Sequence, residues 1–185
     1  MGIQRMISNL SWGLVLLTFA AVSARADLIG QSVEIDYLYP TQADIYQVLG
    51  TGTVTGPGYT VNSFGQHDYT VTGSQITLLN VAGEEVTFLS AIFNGYGLTE
   101  TGGSPATITG VTVDSATDVS GFDSSRVSFD STDVFLNMQS LSTQAGQEVV
   151  LDLQFGSSSV PEPGTLGFLG LGLAAMGIVR RFQHK

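Results

Sequence analysis

Between residues 27 and 155 no segment places apolar residues at helical spacing, while short segments alternate apolar and polar residues or run briefly apolar. Residues 32–39 put Val33, Ile35, Tyr37 and Tyr39 on one face. Residues 148–155 set Val149, Leu151 and Leu153 against Val150, Asp152 and Gln154. Weaker or shorter candidates lie at 45–54, where Gly50 and Gly52 interrupt, and at 59–62, 108–113, 127–129 and 134–138. Thr72-Gly73-Ser74 reads as the turn of a hairpin joining 69–72 to 75–80. Residues 86–93 are nearly continuously apolar and read as a central strand. Nine or ten short strands separated by Gly, Asp, Asn and Ser predict an all-β fold, an antiparallel β-sandwich of jelly-roll or Greek-key type. About 130 residues can close such a core without disulfides, and the chain has no cysteine.

The absence of cysteine excludes thiolate metal sites, a cysteine nucleophile and a lipid anchor on a mature N-terminal Cys. The formal net charge is −10 and is unevenly distributed. Of the 16 acids, 15 lie between Asp27 and Ser159, and Arg126 is the single base in that span. So acidic a middle repels phosphate backbones, which argues against nucleic acid as a partner. The remaining bases, Arg5, Arg25, Arg180, Arg181 and Lys185, flank two apolar runs near the ends.

Residues 1–26 have the three parts of a secretory signal: Arg5 without acids, an apolar run at 10–22, and Ala24-Arg25-Ala26 as a small-x-small cleavage pattern. Cleavage is expected after Ala26. Residues 156–159 form a Ser-rich linker. They lead to Val160-Pro161-Glu162-Pro163-Gly164, an apolar segment at 165–179, and a basic end that begins at Arg180 and Arg181. As a helix that segment is about 22 Å long, short of the roughly 30 Å hydrocarbon core. Snorkelling arginines and local thinning make a transmembrane helix feasible. Arg180 and Arg181 would then stay cytoplasmic, with the acidic domain on the far side, the topology the signal peptide also gives. Pro161 and Pro163 hold the intervening carboxylate in extended backbone.

This Pro-Glu-Pro motif, short Gly- and Leu-rich helix and Arg-rich end resemble the PEP-CTERM sorting signal over residues 160–185. The resemblance implies recognition of Pro161, Glu162 and Pro163 by an exosortase, a multi-spanning membrane enzyme with a cysteine-based active site that cuts near the motif. It implies a protein held briefly as a single-pass inner-membrane species and then placed at the cell surface or outside the cell. It also implies a setting of exopolysaccharide and biofilm. Residues 120–130, 134–138 and 149–152 resemble, less specifically, a recurrent ectodomain of PEP-CTERM proteins with no known activity. Within it Gly121 is expected to make a tight turn and Phe122, Val127 and Phe129 to be core. Arg126 is expected to form an internal ion pair among Asp123, Asp130 and Asp133.

Little else in the middle points to chemistry. His67 is its single histidine, is expected in a surface loop, and lacks a nucleophile elbow nearby. Glu84-Glu85 is expected to be solvated in a hairpin loop, and nothing marks Glu34, Asp36 or Asp152 as a buried acid. Asp114, Asp118, Asp123, Asp130 and Asp133 are oxygen donors of the kind calcium takes, but they form no Asp-x-Asp-x-Asp-Gly loop. Tyr46, Tyr59 and Tyr96 could serve a sugar platform or the core equally. The expectation is therefore an exported, non-enzymatic surface or matrix protein without a cofactor. Carbohydrate or calcium binding is the second reading and a secreted hydrolase the third.

Overall fold

The structure is a computed structural model that describes residues 27–102 and 105–156. The signal peptide, with Ala24 and Ala26, lies outside the described residues, as do Pro161, Glu162, Pro163, the apolar segment at 165–179, Arg180 and Arg181.

The chain is all-β with antiparallel pairing. Its strands are β1 (Ser32–Leu38), β2 (Ile45–Thr53), β3 (Tyr59–Ser63), β4 (His67–Val71), β5 (Gln75–Asn80), β6 (Val86–Thr87), β7 (Gly95–Glu100), β8 (Ile108–Val113), β9 (Val127–Phe129), β10 (Asp133–Asn137), β11 (Ser142–Thr143) and β12 (Glu148–Phe155). Among the described residues one five-stranded sheet runs β2-β1-β7-β10-β9 and another runs β3-β4-β5-β12-β8, with β6 and β11 paired separately. The hairpins β1–β2 and β9–β10 and the meander β3–β4–β5 join neighbours in one sheet, and other connections cross between sheets.

Alternation decides which residues are inside. Val33 and Ile35 of β1, Leu98 of β7 and Val134 and Leu136 of β10 turn one way from the first sheet. They meet Tyr69 and Val71 of β4, Ile76 and Leu78 of β5, and Val149, Leu151 and Leu153 of β12 in a single buried cluster. Two sheets sharing one core give the sandwich-like arrangement expected of alternating strands. The β4–β5 turn closes at Thr72-Gly73-Ser74, with the Thr72 N–H donating to the Gln75 carbonyl at 2.9 Å.

Residues 86–93 do not form a central strand. Only Val86 and Thr87 pair, with Thr143 and Ser142. The chain then bends, Leu89 and Ile92 face solvent, and Phe88 and Phe93 anchor the segment from inside. The strand between β1 and β10 is instead β7, whose sequence Gly-Tyr-Gly-Leu-Thr-Glu carries two glycines. Packing requires the first of them, because a Cβ on Gly95 would overlap the backbone carbonyl oxygen of Leu136. Phe129 is exposed rather than core, since β9 is the edge of its sheet. Phe122 is buried, Val127 packs against the core, and Gly121 takes a positive φ of 80°.

Candidate functional site

At one end of the two sheets the chain gathers aromatic side chains that the sequence scatters over sixty residues. Tyr37 and Tyr39 come from the end of β1 and just beyond it, Tyr46 from the start of β2, and Phe64 from the β3–β4 turn. His67 comes from β4, Phe88 from the bend after β6, and Tyr96 from β7. They line a cleft of about 330 Å³ together with Gln66, Val86, Thr87, Leu89 and Asn94. None of these residues is an acid, a lysine or an arginine.

The floor is rigid. Tyr96 is buried, its hydroxyl is 3.2 Å from Ser63 Oγ, and its ring lies 5.5 Å from that of Tyr69 on the opposite sheet. His67 is 1% exposed, and its ring sits 5.2 Å from Phe88. Its Nε2 lies 2.9 Å from the Thr143 hydroxyl, which also accepts from Asn80 Nδ2 at 3.1 Å. Burial pushes the imidazole down to about 4, so His67 is neutral at physiological pH. This corrects the expected surface loop: β4 begins at His67, two residues before the predicted segment 69–72, and carries His67 inward.

The wall is Tyr37, whose hydroxyl donates to Asn94 Oδ1. Asn94 Nδ2 donates in turn to the Leu89 carbonyl at 2.9 Å, fixing the bend after β6. Three rings meet Tyr37 edge to face: Tyr96 and Phe64 at 5.4 Å and Tyr46 at 6.0 Å. Such perpendicular arrangements are the favoured ones for aromatic pairs. At the rim Tyr46 is 65% and Phe64 51% exposed.

Phe64 takes a φ of 56° and Gly65 one of 72°. The Gln66 N–H donates to the Ser63 carbonyl at 2.9 Å across them, and Gly65 N–H donates to Asn62 Oδ1 at 2.6 Å. Positive φ at both central positions is the pattern that ordinarily selects Asn-Gly or Gly-Gly. A bulky aromatic there is a conformational outlier, costing about 1–2 kcal/mol.

The expected sites fare differently. Tyr46 reaches the rim and Tyr96 the floor, but Tyr59 lies elsewhere, packed over Gly50 and Gly52 of β2. Tyr37, Tyr39, Phe64, Phe88 and Asn94 were not legible as site residues, although an aromatic beside Gly65 in a turn is itself a signal. Glu84 and Glu85 are exposed, as expected, but β5 and β6 do not pair, so their loop joins strands of different sheets rather than closing a hairpin. Asp36 corrects the reading of the acids. It is 6% exposed on β1, its Oδ1 has no hydrogen-bond partner, and burial, followed by the nearby Glu34, raises its carboxyl to about 6. Glu100 is buried too; one oxygen accepts from Ala106 N–H at 2.8 Å, and burial raises its carboxyl.

The five loop aspartates do not converge. Asp114 accepts from Ala116 N–H, Asp118 from Glu148 N–H, Asp123 from Ser125 N–H and Asp130 from the N–H groups of Thr132 and Asp133. Asp133 accepts from the Thr99 and Thr132 hydroxyls. Among the described residues no three His, Asp or Glu side chains are grouped to hold a metal ion. Arg126 ends a single 3-10 turn (Ser124–Arg126) capped by Asp123. Its three hydrogen bonds go to backbone carbonyls, from Nε to Gly121 at 2.9 Å and from Nη1 to Gln139 at 2.9 Å and Asn137 at 3.2 Å. The expected ion pair is thus replaced by a guanidinium that ties two segments together through neutral oxygens.

Comparison with known families adds what the cleft does not supply. The family model described as the PEP-CTERM protein-sorting motif matches residues 159–181. This chain carries a PEP-CTERM sorting motif. The motif is the element an exosortase recognises, and it marks an exported protein sorted through a membrane-anchored C-terminal signal. No curated protein and no solved structure matches the chain.

Proposed function

We propose that this PEP-CTERM protein is a non-enzymatic surface or extracellular-matrix component in an exopolysaccharide setting. Its signal peptide ends at Ala26, its apolar segment at 165–179 spans the inner membrane once, and exosortase processing near Pro161, Glu162 and Pro163 delivers residues 27–155 outside the cell. The observation that carries the reading is the sorting motif at residues 159–181. The charge pattern supports the topology, with Arg180 and Arg181 on the cytoplasmic flank and 15 acids on the exported side.

The interior supports a role without catalysis. His67 is shut between Phe88 and Thr143, and Asp114, Asp118, Asp123, Asp130 and Asp133 each accept hydrogen bonds from protein donors. Triple substitution of Pro161, Glu162 and Pro163 by Ala, followed by cell fractionation, tests the sorting role. The expected result is accumulation of the longer form in the inner membrane. Unchanged delivery to the surface would remove these residues from the recognition step.

A further inference from the structure

The sorting motif says how the protein is delivered and nothing about what it holds; the cleft at the end of the sheets bears on that second question independently. Its volume of about 330 Å³ sits at the low end of the roughly 300–1,000 Å³ typical of small-molecule sites.

The Phe64 backbone adds an argument from strain. Asn or Gly would make the β3–β4 turn more easily. An aromatic is kept there although half of its surface faces solvent, so core packing does not account for it. Strain retained at an exposed side chain beside a cavity points to a use for that side chain. Tyr46, on a different strand, puts a second exposed ring at the same rim, and both rings are braced edge to face by Tyr37.

The lining also restricts the ligand. Two exposed rings share the rim with the exposed Gln66, which suits a molecule with apolar C–H faces and hydroxyls. No acid, lysine or arginine lines the cleft, while the surrounding domain has 15 acids and one base. Its field repels anions, and the Glu85 carboxylate beside the rim is already engaged by the side chains of Gln144, Ser142 and Thr87.

We propose that the cleft binds an uncharged glycan, with Tyr46 and Phe64 packing on pyranose C–H faces and the Gln66 amide taking sugar hydroxyls. The two rings act as the anchors, because aromatic side chains bring large apolar area to a contact.

The test is affinity electrophoresis of the full chain, in a detergent without a sugar headgroup, through gels containing a neutral β-glucan, a neutral galactomannan or alginate. Retardation by a neutral polysaccharide is expected, weakened about tenfold or more by Tyr46→Ala and by Phe64→Ala. Phe129→Ala, at the distant edge strand, is expected to leave it unchanged. Phe64→Asn, which suits the turn, separates lost binding from lost folding: it should stay folded and bind weakly. Retardation by alginate alone would overturn the neutral-ligand assignment. Retardation by no gel, or binding that survives both rim substitutions, would overturn the site.

Discussion

Replacing Asp36 with Asn removes a carboxylate that the fold holds almost out of water with one oxygen unpartnered. Burial lifts this carboxyl from its ordinary 3.8 to about 6, so once ionised it costs the folded state about 3 kcal/mol. The folded protein binds this proton more tightly than the unfolded chain. The contribution of Asp36 therefore favours the fold below pH 4 and is lost as pH rises through about 6. His67 has the opposite sign. Its ring falls from 6.5 to about 4, so its contribution is full above pH 6.5 and is lost as pH falls toward 4. In the wild type the two slopes oppose one another. Asn matches the protonated carboxyl in size and charge, so Asp36→Asn should lie within about 1 kcal/mol of wild type at pH 4. At pH 8 it should be more stable by about 2–3 kcal/mol. Glu100 titrates alike in both proteins and drops out of the difference. Urea unfolding at the two pH values, followed by far-ultraviolet circular dichroism, measures it. A gap of equal size at pH 4 and pH 8 would refute the claim that Asp36 is ionised against a desolvation penalty.

Gly95→Ala should destabilise by more than Gly52→Ala when the two are compared by thermal unfolding. The added Cβ meets the Leu136 backbone in the first case and the Tyr59 side chain in the second, and overpacking against movable groups costs about 1–3 kcal/mol. Arg126→Lys should cost about 1–3 kcal/mol, because an ammonium cannot reproduce the spread of donors to Gly121, Asn137 and Gln139. That loss should be nearly the same in low and high salt, since the partners are neutral carbonyls; strong salt dependence would restore the ion-pair reading. Phe64→Asn should change stability by less than about 1 kcal/mol in either direction, as relief of positive φ offsets the lost half-exposed ring. A large loss in calorimetry would make Phe64 a structural residue.

Strands that alternate cleanly were legible. β12 spans the predicted 148–155, and β1 and the β4–β5 hairpin fall within one or two residues of expectation. Failures came where tertiary packing overrides local preference. The run at 86–93 has strand composition, but the Phe88 N–H donates to the Leu141 carbonyl and the Phe93 N–H to that of Pro40, pinning a bend between two buried rings. β7 went unseen because Gly95 and Gly97 are poor strand formers, and what demands the first is the close approach of the β10 backbone. The cleft was only partly legible, since Tyr37, Phe64 and Phe88 become neighbours through sheet topology that no local pattern encodes. Asp36 could not be distinguished from a solvated acid because its burial is set by the strands beside β1. The sorting motif was readable because the order of its parts along the chain is itself the signal.

The central claim is that the C-terminal motif makes this protein a sorting substrate. Intact-mass measurement of the protein recovered from a host with and without its exosortase tests that most directly. The account predicts a species that begins at Asp27 in both strains and lacks the basic C-terminal end only when the enzyme is present. A species that keeps Arg180 and Arg181 in both strains would contradict it and make the tail a permanent anchor.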